Sequence, residues 1–179
     1  VDPILWRVLD KDEGIVLTDI ILDTSVYYEN EKNHLDVKGA MPNNYEYSDV
    51  SGWLNGESKF KNDNFASKAF EDPLKVVKMI DKLDNSAITT GKEDNIYACK
   101  DFTVFFYLLS YVEVWGSNYD SDSVKLVSNI IKDGTGQLEY YAMSDSTRIK
   151  TKTSGPATAW WLRSALSTDA YSFLVVASD

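Results

Sequence analysis

The chain has 179 residues, which fits one domain with a single sizeable hydrophobic core. Its apolar content of 44% and aromatic content of 13% exclude a disordered chain. Its net charge of −10 argues against nucleic-acid binding, because phosphate binding needs clustered lysine and arginine. No apolar run approaches the roughly 20 residues that span a bilayer, so we expect no direct membrane insertion. We predict one domain that covers residues 1–179.

The N-terminal part of the chain predicts a β-hairpin followed by a loop. Ile4–Leu9 and Ile15–Leu22 are rich in branched residues, which favours two strands. Turn-forming residues at positions 10–14 join them. The polar, asparagine-rich stretch from Tyr27 to Tyr47 is predicted to be a long surface loop.

Helices are predicted at three places further along the chain. Asp49 is a candidate cap for a short helix that ends at Asn55-Gly56. Asp72-Pro73 is a typical helix start, and apolar residues at helical spacing follow it as far as Leu83. A second main helix is predicted from Ser121 or Asp122 to residue 133, where a glycine follows.

The remaining elements are strands and a loop. Phe102–Leu109 is predicted to be a central buried strand, and Ser144–Pro156 a basic loop rich in serine and threonine. Ala159–Arg163 and Tyr171–Ala177 are predicted to be the last two strands. Strands at both ends of the chain predict an α+β fold with mixed or antiparallel sheets, two main helices and long loops.

The aromatic residues are the clearest structural signal. Trp160 and Trp161 are adjacent, and neighbouring side chains of a strand face opposite sides. The pair therefore either fills the core or forms an aromatic platform for a ligand. We predict that Trp6, Trp53, Trp160, Trp161 and Arg163 are structural anchors.

Four motifs follow one another along the chain: P-I-L-W-R-V-L-D at Pro3–Asp10, W-L-N-G at Trp53–Gly56, F-Y-L-L-S at Phe106–Ser110 and W-W-L-R-S at Trp160–Ser164. In this order they resemble a bacterial family of domains of unknown function. That family is similar to the C-type-lectin-like fold shared by formylglycine-generating enzymes and the variable proteins of diversity-generating retroelements. The resemblance implies this fold and an extracellular or cell-surface location. It also implies a closing C-terminal strand, and we expect this sequence to end before it.

The sequence offers little for catalysis or metal binding. His34 is the single histidine and lies in a polar stretch, so we interpret it as a surface residue. Cys99 is the single cysteine and is predicted to be a buried thiol, and a cysteine pair like that of formylglycine-generating enzymes is excluded. Asn118, Asp120 and Asp122 are spaced like the start of a calcium loop that lacks its glycine and its final glutamate. We predict no catalytic residue, no cofactor and no metal.

The segment after the W-W-L-R-S motif is the predicted binding surface. It mixes tyrosine with serine and small residues, which is typical of adaptable binding surfaces. In the retroelement-diversified receptors of the similar fold, the segment after the corresponding strand carries variable, ligand-contacting positions. The resemblance implies the same role for this segment. The candidate ligand-binding residues are Ser167, Thr168, Asp169, Tyr171 and Phe173. The alternative interpretation is an ordinary hairpin loop.

These observations favour a non-catalytic, ligand-binding domain of receptor or adhesin type from a bacterial surface or secreted protein. Its ligand would be a protein or a glycan, and it is a candidate retroelement-diversified variable protein. The alternatives are an enzyme of the formylglycine-generating-like fold with a different chemistry, or a structural module of a longer adhesin. The ranking rests partly on the resemblance, since fold does not determine function.

Overall fold

The computed structural model describes residues 3–24, 41, 43–77, 79–83, 99, 102–116, 137–153, 155–165 and 172–175. These residues combine short strands with short helices, which confirms the predicted α+β class. The strands are β1 (Trp6–Asp10), β2 (Ile15–Thr18), β3 (Ile80–Leu83), β4 (Phe102–Val104), β5 (Trp160–Ala165) and β6 (Ser172–Val175). The α-helices are α1 (Asp49–Asn55), α2 (Phe65–Ala69), α3 (Pro73–Val76), α4 (Tyr111–Trp115) and α5 (Glu139–Ala142). Short 3-10 helices cover Tyr45–Tyr47, Ser58–Phe60 and Asp145–Arg148.

The described strands pair two by two. β1 pairs with β2, β3 with β4, and β5 with β6, each in antiparallel orientation. The antiparallel pairing agrees with the predicted sheet type. Within the described residues, each of these three pairs is a separate two-stranded sheet.

The N-terminal hairpin is confirmed. The Oδ1 atom of Asp10 accepts hydrogen bonds from the backbone N–H groups of Asp12 and Glu13, both at 2.9 Å, which holds the turn. Gly14 closes the turn at a φ of 73°, a left-handed conformation that favours glycine. The second strand is shorter than predicted and ends at Thr18.

Helix α1 is also confirmed, with a different cap. The hydroxyl of Ser48 accepts the backbone N–H of Ser51 at 3.2 Å, so Ser48 and not Asp49 is the N-cap. Asp49 is buried and its carboxylate lies 3.0 Å from the ammonium of Lys59. Gly56 ends the helix in the left-handed conformation at a φ of 74°.

The predicted first main helix is wrong beyond its first turn. Helix α3 covers only Pro73–Val76, and the residues from Ile80 to Leu83 form β3, which pairs with β4. The β-branched residue Val77 favours extended backbone, and it already has a φ of −116° and a ψ of 125°. Pairing with β4 and burial of Leu83 then outweigh the helical spacing of the apolar residues. The predicted second main helix lies outside the described residues.

Two further predictions need correction. The central strand predicted at Phe102–Leu109 is a strand only as far as Val104. Asn43 and Tyr45, at the end of the predicted surface loop, are both 0% exposed. Tyr45 is buried because its ring packs against Phe102 at 5.8 Å and its hydroxyl accepts the backbone N–H of Leu108 at 3.0 Å.

Among the described residues, buried side chains form two neighbouring core clusters. The first contains Tyr45, Val50, Leu83, Cys99, Phe102 and Val104. The second contains Leu109, Val114, Leu138, Tyr141 and Leu162. Cys99 is buried, as predicted for a lone structural thiol. Leu9 and Leu17 of the N-terminal hairpin pack against the second cluster, as does Trp160 of β5, so both ends of the chain share one core region.

Candidate functional site

The predicted binding segment after β5 falls mostly outside the described residues. Ser167, Thr168, Asp169 and Tyr171 all lie there. Phe173 belongs to β6, and the register pairs its neighbours Leu174 with Trp161 and Ser172 with Ala165. The predicted site therefore stays a prediction. His34 and the candidate calcium ligands are outside the described residues as well.

The described residues instead form a large cavity between the N-terminal hairpin and the two core clusters. Its volume is about 880 Å³, and its lining is mainly apolar. Rings contribute much of that lining, from Trp6, Trp53, Phe65, Phe70, Phe106, Trp160 and Trp161. Volume and lining are typical of sites that bind small molecules.

A continuous row of five aromatic rings forms one wall. Trp6 stacks on Phe70 at 6.0 Å between centroids, and Phe70 stacks on Phe106 at 5.4 Å. Phe106 meets Phe65 edge to face at 5.1 Å, and Phe65 lies 5.8 Å from Trp53. Such ring pairs stabilise one another beyond simple burial. The row fixes β1 against α1 and α2, so this wall is formed before any ligand arrives.

Asn55 of the W-L-N-G motif holds the segment behind this wall. Its Oδ1 accepts the backbone N–H groups of Phe105 and Phe106 at 2.9 and 3.0 Å. Its Nδ2 donates to the carbonyls of Phe106 and Ser51 at 2.9 and 3.0 Å. The asparagine satisfies backbone groups that no strand partner reaches, and it positions the Phe106 ring.

Trp160 and Trp161 are both partly buried and line the cavity together. Trp161 packs against the first core cluster and Trp160 against the second, in keeping with the alternation of side chains along a strand. The indole N–H of Trp160 donates to the carbonyl of Arg148 at 3.0 Å. Its ring stacks on Tyr141 at 6.3 Å.

Arg163 lies behind the cavity and is fully buried with Glu113. Its Nη1 lies 2.6 Å from Glu113 Oε2 and also donates to the carbonyl of Leu108 at 2.9 Å. Glu113 completes a capping box with Ser110 at the start of α4, so the ion pair joins that helix to β5. Burial disfavours the charge on Arg163, but Glu113 raises the pKa of Arg163 above its ordinary value.

Charged and polar groups gather at one edge of the cavity. The Nε of Arg7 donates to Asp19 Oδ1 at 2.9 Å, and its Nη2 donates to Asp19 Oδ2. The hydroxyl of Tyr140 donates to Asp19 Oδ1 at 3.1 Å, and the Arg7 guanidinium lies 4.6 Å from the centre of the Tyr140 ring. The hydrogen bonds from Arg7 lower the pKa of Asp19 to about 2. Asp19 is therefore a carboxylate across the whole physiological pH range.

Lys150 and Tyr141 extend this edge into the cavity lining. The Lys150 ammonium lies 3.6 Å from Asp19 Oδ1 and 3.4 Å from the Tyr140 hydroxyl. Burial lowers the pKa of Lys150, and Asp19 opposes that shift. Sequence reasoning missed both residues, because their position depends on contacts with chain segments far from them in sequence. The adjacent Tyr140-Tyr141 pair was the one available signal.

The described ranges contain no group of three or more His, Cys, Asp or Glu side chains that could hold a metal ion. Their helices are too short or too polar to cross a bilayer. The arrangement is suited to enclosing an apolar molecule with a polar group at one end.

Comparison with known proteins gives one match. No curated protein and no solved structure matches the chain. Residues 11–179 match the family described as Domain of unknown function (DUF6273). Because that match covers nearly the entire sequence, including the W-L-N-G and W-W-L-R-S motifs, the chain belongs to the DUF6273 family.

Proposed function

We propose that this domain is a non-catalytic ligand-binding domain and that the aromatic cavity is its binding site. The observation that carries the proposal is the cavity of about 880 Å³ with four tryptophan side chains in its lining. Small-molecule sites are concave, mainly apolar and largely formed in advance, with a few polar groups that fix orientation. The row of rings from Trp6 to Trp53 meets this description.

The binding surface predicted from sequence is a second part of the same proposal. Asp169, Tyr171 and Phe173 would contact a protein or glycan ligand that the cavity does not take. Replacing all three with alanine would then abolish capture of that partner while leaving the melting temperature nearly unchanged. If the triple alanine variant lost folding stability as well as binding, these residues would instead belong to the core.

The finer fold assignment is also a proposal. We infer a C-type-lectin-like fold, supported by the four motifs and by the convergence of the N-terminal hairpin and β5 on one core region. The resemblance supports a bacterial surface or secreted protein, including a retroelement-diversified receptor. A formylglycine-generating-like enzyme with another chemistry and a structural module of an adhesin are the competing functions. A crystal structure in which the N-terminal hairpin and β5 pack in separate core regions would reject the fold.

Binding of the neutral fluorophore Nile red tests the cavity. Ala159 lines the cavity and its side chain is exposed, so Ala159→Trp fills space without disturbing buried contacts. We expect the parent to enhance Nile red fluorescence saturably and Ala159→Trp to weaken binding at least about tenfold. Ala142→Trp, at an exposed position away from the cavity lining, is the control and should bind like the parent. Equal binding by all three proteins, or no binding by any, would contradict the proposed function.

A further inference from the structure

Around Asp19, at the polar edge of the cavity, two cationic side chains face one carboxylate. These side chains are Arg7 and Lys150. Arg7 holds both oxygens of this carboxylate, and the Tyr140 hydroxyl donates to one of them as well. Most of the acceptor capacity of Asp19 is therefore in use before Lys150 is considered.

Lys150 contacts this group only at long range. Its ammonium lies 3.6 Å from Asp19 Oδ1 and 3.4 Å from the Tyr140 hydroxyl, whereas a charge-assisted hydrogen bond is about 2.7–2.9 Å long. The side chain is 6% exposed, so water does not readily solvate the ammonium. An ammonium has three N–H donors, and this one retains donor capacity toward the cavity that it lines.

Tyr141 supplies an independent observation on the same lining. Its residue exposure is 1%, and its hydroxyl has no hydrogen-bond partner among the described residues. Buried hydroxyls are nearly always hydrogen-bonded, so an unpartnered one calls for an explanation. Burial raises the pKa of Tyr141, so the hydroxyl remains a neutral donor. Lys150 lies close by, with its ammonium 5.7 Å from the centre of the Tyr141 ring.

We propose that the cavity binds a molecule with an apolar, ring-bearing body and one carboxylate, whose oxygens accept hydrogen bonds from the Lys150 ammonium and the Tyr141 hydroxyl. The aromatic wall takes the body, and Lys150, the one cationic side chain in the described lining, matches a single carboxylate on the ligand. A phosphate dianion would need a second cation or a set of backbone N–H groups. This assignment rests on the proposed function and gives it a ligand class.

Calorimetric titration with 2-naphthoate and with its neutral amide, 2-naphthamide, tests the assignment. The two probes share one ring system and differ in charge. We expect the parent to bind naphthoate about tenfold to a hundredfold more tightly than naphthamide, the range for a charge-assisted hydrogen bond. Lys150→Met should abolish this preference while leaving naphthamide binding intact. Lys152→Met, at an exposed lysine two residues away, should keep it.

The Tyr141→Phe variant tests the second proposed donor, the Tyr141 hydroxyl, separately from the Lys150 ammonium. Removal of an unpartnered buried hydroxyl should leave the melting temperature unchanged or raised, and naphthoate affinity should fall severalfold. Equal affinity of the parent for the two probes would overturn the carboxylate assignment and leave the proposed function standing. The carboxylate assignment would also be overturned if a folded Lys150→Met protein still bound naphthoate more tightly than naphthamide. Absence of binding by both probes would overturn the assignment and the proposed function together.

Discussion

Among individual residues, Arg163 combines deep burial with a full charge. Its partner Glu113 is 1% exposed, so neither charge is compensated by water. Removal of one member of a buried ion pair leaves the other charged and unpaired. We therefore expect Arg163→Met to lower the free energy of unfolding by about 3–5 kcal/mol in urea denaturation.

The matched control removes both charges. Arg163→Met combined with Glu113→Gln leaves no buried charge, and it should regain part of the lost stability. If Arg163→Met alone unfolded at the same urea concentration as the parent, the anchoring role of this ion pair would be contradicted.

Asp19 gives a prediction about pH. Its folded-state pKa of about 2 lies below the ordinary value of 3.8, mainly because Arg7 hydrogen-bonds its carboxylate. A depressed carboxyl pKa stabilises the folded state above the ordinary value, and that contribution is lost as pH falls from about 4 toward 2. We expect Arg7→Met to move the Asp19 pKa back toward 3.8, measured by carboxyl carbon NMR titration. An Asp19 pKa unchanged in the variant would contradict the pairing.

Sequence analysis identified residues with unusual chemistry but not their partners. The double tryptophan was informative because two adjacent indoles carry a large apolar area and each has an N–H group that needs a partner. Glu113 was missed, although Ser110 and Glu113 have the spacing of a capping box. Lys150 was assigned to a basic loop, since its burial depends on residues such as Asp19 that lie far from it in the chain.

At the scale of elements, two glycines allow the cost of a left-handed backbone to be compared with the cost of steric crowding. Gly14 and Gly56 have nearly equal φ values of 73° and 74°. A Cβ at Gly14 would meet nothing within 4 Å, whereas one at Gly56 would lie 2.9 Å from Nδ2 of Asn64. Asn64 cannot easily move, because it caps α2 by accepting the N–H of Ser67 at 2.8 Å.

Alanine substitution at the two positions should therefore differ in cost. Gly14→Ala should lower stability by about 1–2 kcal/mol, the cost of the left-handed conformation. Gly56→Ala should lower it by about 2–4 kcal/mol, because the cap at Asn64 is disturbed as well. Thermal denaturation followed by circular dichroism would measure both. Equal losses would show that Asn64 accommodates the added methyl group.

Elements with strong local signals were predictable, whereas strand β3, which is defined by its pairing with β4, was not. The turn before Gly14 and the helix end at Gly56 follow from residues within one or two turns of them. The strand at Ile80–Leu83 follows instead from Phe102–Val104, about twenty residues away. Periodicity alone assigned it to a helix, because a short apolar run fits both helix and strand.

At the scale of the whole molecule, the cavity results from the meeting of elements that are distant in the chain. Trp6 in β1, Trp53 in α1 and the Trp160-Trp161 pair in β5 all line it. Sequence reasoning proposed an aromatic platform as one reading of the double tryptophan. It could not place Trp6 and Trp53 in the same wall, since no local pattern records which rings meet across the fold.

The central claim is that this cavity binds a ligand, and the five tryptophan indole signals test it most directly. Trp6, Trp53, Trp160 and Trp161 line the cavity, whereas Trp115 does not belong to its described lining and instead stacks on Tyr111 at 5.0 Å. In an ¹⁵N-labelled sample titrated with 2-naphthoate, we predict that the four lining indole N–H signals shift in a saturable way. The Trp115 signal should stay in place. No shift of the four signals, or a Trp115 shift as large as theirs, would contradict the claim.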